Sequence, residues 1–257
     1  MKRGLITWDK SEIPPAVFER RLDRVRHLLA ERELAALVVY SELWRSNQAR
    51  FFSNYMPYFN RALLVIPGDF PPTLLCGLSP RVYGWIRSVT TIEDVRPAGN
   101  FAKPLFELAA ERKWTRIGAL DFPQFPYDIH KAVQAGAIEV ANVESAAVFV
   151  PGEDEIEIAM RKKAEDLVRR ILDEELAAGV GKVDHHFVGR LERRFRRAGA
   201  EDLIVLLTNG GTVPAPPRGA VLEQGYSVSI ALEYRGHWVR VPDNAEFMWG
   251  SYPYECH

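Results

Sequence analysis

The strongest constraint on the fold is a change of hydrophobic pattern near the dipeptide Pro151-Gly152. Before this point, short apolar runs alternate with amphipathic segments, which is typical of a β-sheet covered by helices. Beyond it, residues 153–178 contain neither Gly nor Pro. Their apolar side chains recur at steps of three and four, which predicts one long helix. The sequence therefore predicts two domains, residues 1–150 and residues 151–257.

The first domain is predicted to be of the α/β class, with a mostly parallel sheet. Short apolar runs are typical of strands buried on both faces of such a sheet; here they cover residues 34–40, 62–66, 73–76 and 116–120, with weaker patterns at 91–95 and 138–140. Helical spacing of apolar residues between these runs predicts the covering helices.

The second domain is predicted to be of the α+β class. After the long helix, a second helix is expected over residues 184–198, with Asp184 as a plausible N-cap. A strand over 203–207 and a loop rich in Gly and Pro come next. Two further strands, 226–234 and 237–241, are joined by a tight turn, which predicts a β-hairpin.

Charge and composition exclude several classes of function. The chain has 33 Lys and Arg against 34 Asp and Glu, a net charge of -1. This balance offers no overall attraction to nucleic acid or to anionic lipid. No apolar run approaches the roughly 20 residues of a membrane span, and only two cysteines are present, which favours a reducing compartment. We expect a soluble, cytoplasmic protein with neither nucleic acid nor membrane as a partner.

Four segments, taken in order, resemble the creatinase and aminopeptidase P family, whose catalytic domain is called the pita-bread fold. They are the stretch Phe51–Tyr55, the start of the long helix at Glu153–Ala164, the stretch Gly199–Gly210 and the stretch Leu222–Ala231. The resemblance implies a creatinase-like N-terminal domain at 1–150 followed by about half of a pita-bread domain at 151–257.

The departures from the family pattern bear on metal binding. The peptidases of this family hold two divalent metals with two Asp, one His and two Glu. The two Asp positions correspond here to Ala231 and to the vicinity of Val239 and Arg240, and residues 209–222 contain no His. The other metal ligands of the family lie beyond the point that corresponds to His257. We therefore expect neither a metal nor another cofactor.

Creatinase has the same fold and needs no metal, so a catalytic function remains open. The hairpin supplies the candidate acid, base and carboxylate-binding groups Glu233, His237 and Arg240. The alternative is an exposed hairpin with charges on its solvated side, which is common in antiparallel sheets and which we favour.

Four residues are candidate ligand contacts. Arg61 resembles, one residue out of step, the arginine with which creatinase holds its substrate, and Tyr55 belongs to the same family motif. Asn209 and Gly210 begin the glycine-rich loop, where the backbone can approach a ligand closely. A simple turn is the competing interpretation of that loop.

The second helix also carries a basic stripe, which consists of Arg190, Arg193, Arg194, Arg196 and Arg197. Such a stripe can hold phosphate or an acidic partner. The neutral overall charge favours the other interpretation, a solvated face.

Three functions follow as alternatives. The first is a metal-free relative of these peptidases that binds a small carboxylated or peptide-like ligand or a related subunit. The second is a metal-independent hydrolase of a C–N bond, similar to creatinase or to the Xaa-Pro peptidases. The third is a non-catalytic structural or regulatory partner. Because half of a pita-bread sheet leaves an open edge, we expect a homodimer or a heteromer with a related subunit.

Overall fold

The computed structural model describes residues 7–149 and 154–242. The chain divides into two compact units, Lys2–Pro151 and Gly152–His257.

The first unit is built on a six-stranded sheet with the strand order β4-β3-β2-β1-β5-β6. The strands are β1 (Ala36–Ser41), β2 (Ala62–Pro67), β3 (Thr73–Cys76), β4 (Asp94–Pro97), β5 (Arg116–Leu120) and β6 (Glu139–Val143). Three of the five pairings are parallel, which confirms the predicted α/β class with a mostly parallel sheet. The exception is β2, which runs antiparallel to both neighbours. Residues 68–72, which join β2 to β3, are too few for a parallel crossover.

Helices cover both faces of this sheet. They are α1 (Pro15–Glu31), α2 (Asn47–Ser53), α3 (Tyr83–Val89), α4 (Ala102–Glu111) and α5 (Tyr127–Gln134). Side chains from α1, α2 and α3 share one buried cluster with the sheet, and those from α4 and α5 share another. Neighbouring residues of β1 alternate between the clusters, Leu37 in one and Val38 in the other. This two-sided burial explains why the strands are continuous apolar runs.

The short helix α2 was not predicted from the sequence. It ends at Asn54, whose backbone adopts the left-handed conformation with φ of 61°. The stretch Phe51–Tyr55, one of the four segments of the family resemblance, therefore contains the end of a helix and its cap. Phe52 is fully buried in the core, so tertiary packing stabilises a helix too short to be stable alone.

The second unit consists of two helices and an antiparallel sheet. The elements are α6 (Glu155–Glu175), α7 (Asp184–Arg197), β7 (Asp202–Thr208), β8 (Ser227–Tyr234) and β9 (His237–Pro242). Asp154 caps α6, because its side chain accepts hydrogen bonds from the amides of Ile156 and Glu157. The helix ends at Glu175, earlier than predicted, and the chain tightens there into a 3₁₀ turn at Leu176–Gly179.

The sheet of the second unit, in the order β7-β8-β9, has two different faces. One face is apolar and buried, with Val205, Ile230 and Val239 among its members. The opposite face includes Ile204, which is 55% exposed, and Arg240, which is exposed. None of the described helices is long and apolar enough to cross a membrane.

Candidate functional site

The β8–β9 hairpin sets the arrangement of the candidate groups in the second unit. In its register Ala231 lies opposite Arg240, and Glu233 lies opposite Trp238. Alternate strand residues share a face, so Ala231, Glu233 and Arg240 lie on one face of the sheet. This is the face that includes the exposed Ile204, the register partner of Ala231 on β7. Glu233 is fully buried there, whereas Arg240 is exposed.

His237 does not share this face. It pairs with Tyr234 and stands an odd number of residues from Arg240, so its side chain belongs to the opposite face. The structure therefore brings Glu233 and Arg240 to one face and separates the imidazole from them. The alternation rule, applied to residues 237 and 240, gives the same result from the sequence alone.

The turn of the hairpin holds these strands in register. Arg235 and Gly236 have φ values of 51° and 85°, the combination that a type I′ turn requires. The amide of Gly236 donates to Glu201 Oε2 at 3.1 Å. The amide of Glu201 donates in turn to the carbonyl of Glu233 at 2.8 Å. The turn thus fixes the positions of Ala231, Glu233 and Arg240 along the hairpin.

Asn209 and Gly210 begin the loop between β7 and β8. The Asn209 amide nitrogen donates to the carbonyl of Val221 at 2.9 Å. Its side-chain oxygen accepts from the amide of Glu223 at 2.9 Å. Gly210 has a φ of 68°, a conformation that favours glycine. In the structure, these two residues therefore close the loop. Their contact with a ligand stays a prediction.

A buried carboxylate fixes the other end of this loop. Asp184 is not the N-cap of α7 but its first helical residue, and Val183 takes the cap position. The Asp184 carboxylate accepts the amides of Arg218, Gly219 and Ala220 at 2.7, 2.9 and 3.3 Å. Burial by itself raises the pKa of this carboxyl, but these backbone hydrogen bonds outweigh burial, and the pKa is lowered.

In the first unit, Arg61 is part of a polar cluster. Its Nη1 donates to both carboxylate oxygens of Asp128, at 3.2 and 2.9 Å. Its guanidinium carbon lies 5.7 Å from the centre of the Phe101 ring. The hydrogen bond from Arg61 lowers the pKa of Asp128. Nearby, Tyr40 donates to Glu42 Oε2 at 2.9 Å, and burial raises the pKa of its phenol.

Tyr55 lies in the core of the first unit. It is 1% exposed, and its hydroxyl lies 3.6 Å from the sulfur of Cys76. Both its ring and its hydroxyl are occupied inside the core, which favours a structural role. The ligand contact expected for Tyr55 stays a prediction.

The side chains on the sheet face of Ala231 and Arg240 do not suit a site for two metal ions. Where the resemblance places two metal-binding carboxylates, the structure has the methyl group of Ala231 and, directly opposite, the guanidinium of Arg240. An arginine repels a cation and a methyl group offers no ligand atom. Within residues 7–149 and 154–242, no three His, Cys, Asp or Glu side chains are grouped so that they could hold a metal ion.

The comparisons with known proteins agree with this architecture. Residues 21–168 match the family described as Creatinase/Prolidase N-terminal domain. An X-Pro aminopeptidase from Thermotoga maritima superimposes with a TM-score of 0.71 at 19% identity, over 86% of this chain and 63% of that chain. An Xaa-Pro dipeptidase from Bacillus anthracis gives a TM-score of 0.65 at 16% identity, over 88% and 64%.

A prolidase from Pyrococcus horikoshii superimposes with a TM-score of 0.67 at 14% identity, over 87% of this chain and 63% of that chain. At these identities the similarity shows a shared fold. The chain spans less than two thirds of the length of these three proteins. No curated protein matches it.

Proposed function

The chain belongs to the creatinase/prolidase N-terminal domain family, and we propose that it binds a small carboxylated or peptide-like ligand without a metal. The second unit supplies the binding group for the ligand carboxylate. The proposal concerns binding, and it assigns no peptidase activity to the chain.

The observation that carries the proposal is the pairing of Ala231 with Arg240. At the two positions where the family's peptidases present anionic metal ligands, this chain presents one neutral and one positively charged side chain. A guanidinium pairs with a carboxylate through two parallel charge-assisted hydrogen bonds. The same place on the sheet that would hold a cation in a peptidase therefore attracts an anion here.

The names of the similar structures narrow the class of ligand. They are an X-Pro aminopeptidase, an Xaa-Pro dipeptidase and a prolidase. We take peptides with proline after the first residue as the first class to test. A dipeptide of this class ends in a free carboxylate, which suits Arg240.

Glu233 favours a second candidate function, metal-independent hydrolysis of a C–N bond. It is fully buried and shares the face of Arg240. A carboxylate in such surroundings can act as a general base. In this candidate, Arg240 holds the substrate carboxylate and Glu233 moves the proton.

The edge of the sheet favours a third candidate, a partner subunit. Among the described residues β9 pairs with β8 alone, and an open strand edge is a template for a further strand. A second copy of this chain or a related subunit would pair there. The cytoplasm is the compartment that suits the buried free thiol of Cys76, because thiols stay reduced in it.

Binding of the dipeptide Gly-Pro, measured by calorimetry in the presence of EDTA, tests the first candidate. We expect binding without metal, and a loss of about tenfold or more in affinity for Arg240→Gln, about 1.4 kcal/mol. The control variant is Arg169→Gln, which removes the same charge from an exposed position on α6. Binding that needs added Mn²⁺, or equal losses in both variants, would refute the proposal.

Turnover of the same dipeptide separates the first two candidates. Release of free proline in EDTA, abolished by Glu233→Gln, selects the hydrolase. Binding without turnover selects the ligand-binding protein. The mass in solution tests the third candidate, because a strict monomer at micromolar concentration excludes a homodimer.

A further inference from the structure

A charged cleft lies between α6 and α7 in the second unit. Its volume is about 880 Å³. Eight of its ten lining residues are charged or imidazole side chains: Arg170, Glu174, Glu175, His186, Arg190, Arg193, Arg194 and Arg197. Five arginines against two glutamates leave three positive charges in excess. Four of the five arginines of the basic stripe predicted from the sequence, all except Arg196, thus form one wall of a concave site.

Two carboxylates position part of this wall. The side chain of Glu175 is 3% exposed and lies 2.6 Å from Nε of Arg190. Glu175 also pairs with Arg194, which in addition pairs with Glu174. A buried carboxylate requires such compensation. Arg190 and Arg194 are therefore held against α6 in a defined position.

Three arginines of the cleft lack this compensation. Arg170, Arg193 and Arg197 are exposed, and within the part of the chain that the structure describes none of them has an acidic partner. Arg193 and Arg197 stand four residues apart on α7, where like charges repel one another. An anion in the cleft would remove this repulsion.

The chemistry of the lining indicates which anion fits. Small-molecule sites are usually apolar and enclose about 300–1,000 Å³. This cleft has the volume of such a site, but its lining is charged and has an excess of positive charge. A ligand that carries several negative charges suits it. The guanidinium fork matches phosphate oxygens in pairs. Residues four apart on a helix are separated by about 6 Å along its axis, which allows Arg193 and Arg197 to engage different phosphates of one chain.

We propose that the cleft between α6 and α7 binds a small molecule that carries two or three linked phosphate groups. The ligand contacts are the uncompensated Arg170, Arg193 and Arg197, while Glu175 positions the two remaining arginines. The site lies within the second unit and does not depend on the sheet face of Arg240 or on the ligand proposed there.

Calorimetry of the full chain with sodium triphosphate, at fixed ionic strength, tests this proposal. We expect binding that weakens about tenfold in Arg170→Gln and about a hundredfold in the double variant Arg193→Gln with Arg197→Gln, in line with the strength of charge-assisted hydrogen bonds. Glutamine preserves helix propensity, and circular dichroism verifies the fold of each variant. The matched control is Arg169→Gln, one residue from Arg170 on the same helix and outside the cleft.

Three results would overturn the proposal. The first is the absence of binding. The second is an equal loss of affinity in Arg169→Gln and Arg170→Gln, which would show attraction to the general charge of the helix. The third is equal or tighter binding of sulfate or of hexaglutamate, which would show a site for any anion or for an acidic peptide.

Discussion

The carboxylate of Asp184 offers the sharpest test of how the second unit is held together. It accepts three backbone amides, from residues 218, 219 and 220. Asp184→Asn keeps the size of the side chain but turns one acceptor oxygen into a donor. At least one of these three amides then faces another donor. The hydrogen bonds are part-buried and residues 218–220 are exposed, so water can replace some of what is lost. A hydrogen bond to a charged group contributes about 1.5–3 kcal/mol, and we expect a loss at the lower end, about 1.5 kcal/mol, in the free energy of unfolding of this unit.

Two measurements detect this loss. Urea denaturation at pH 7 gives the change in stability, and hydrogen exchange followed by mass spectrometry reports the amides of residues 218–220 directly. These amides should exchange faster in the variant, because they lose a buried acceptor. The control is Asp173→Asn at an exposed position on α6, where we expect a change within about 0.5 kcal/mol.

The pH dependence of the loss has a definite sign. The pKa of Asp184 is lowered from 3.8 by folding, so its stabilisation is complete above that value. As the pH falls below 3.8 towards the lower pKa of the folded state, the unfolded chain takes up the proton first and the contribution declines. The difference between wild type and Asp184→Asn should therefore be constant from about pH 7 to about pH 5 and narrow towards about pH 3. A difference that is absent at pH 7, or that grows on acidification, would refute the reasoning.

Two further outcomes are expected. Gly179→Ala should lower the urea midpoint by the equivalent of about 1–3 kcal/mol, because an added Cβ would lie 2.0 Å from the hydroxyl of Tyr226. The control is Gly189→Ala, where nothing lies within 4 Å of an added Cβ and where we expect the midpoint to rise slightly. Equal effects of the two substitutions would contradict this packing. Arg61→Gln should raise the pKa of Asp128 towards 3.8, measured by NMR titration, because the hydrogen bond that lowers this pKa is lost; an unchanged titration would show that the ion pair does not form in solution.

The elements that were predicted well are those in which one physical signal dominates. β1 and β2 are buried at every residue and almost entirely apolar, because both sheet faces are covered. The helix α6 shows its period over many turns and has its cap in the sequence at Asp154. The antiparallel orientation of β2 relative to β3 could also be predicted from the sequence, since the short connection between them excludes a crossover. The prediction of a mostly parallel sheet is confirmed, and β2 is its exception.

The elements that were missed depend on contacts between distant residues. The helix α2 has seven residues, too few for a periodic pattern to be recognised, and the buried ring of Phe52 stabilises it. Asp184 resembles an ordinary cap in the sequence, yet its side chain also accepts three amides of a loop that lies at least 34 residues away. The family motif that includes Tyr55 does not indicate whether this side chain is buried, so its place in the core could not be predicted from the motif.

The register of the hairpin is what gives the departures from the family pattern a physical meaning. A lone arginine in a loop would be unremarkable, but Arg240 stands directly opposite Ala231, with the Cβ atoms of such a pair about 5 Å apart. At a charge separation of about 5 Å, a divalent cation and a guanidinium repel each other by about 2 kcal/mol in water-like surroundings and by about 7 kcal/mol at an effective dielectric constant near 20. The exposure of Arg240 favours the lower figure, to which the missing carboxylate at position 231 adds the loss of a ligand. The sheet geometry can therefore remain that of the family while the pair formed by Ala231 and Arg240 disfavours a cation, which is the basis of the carboxylate binding proposed for Arg240.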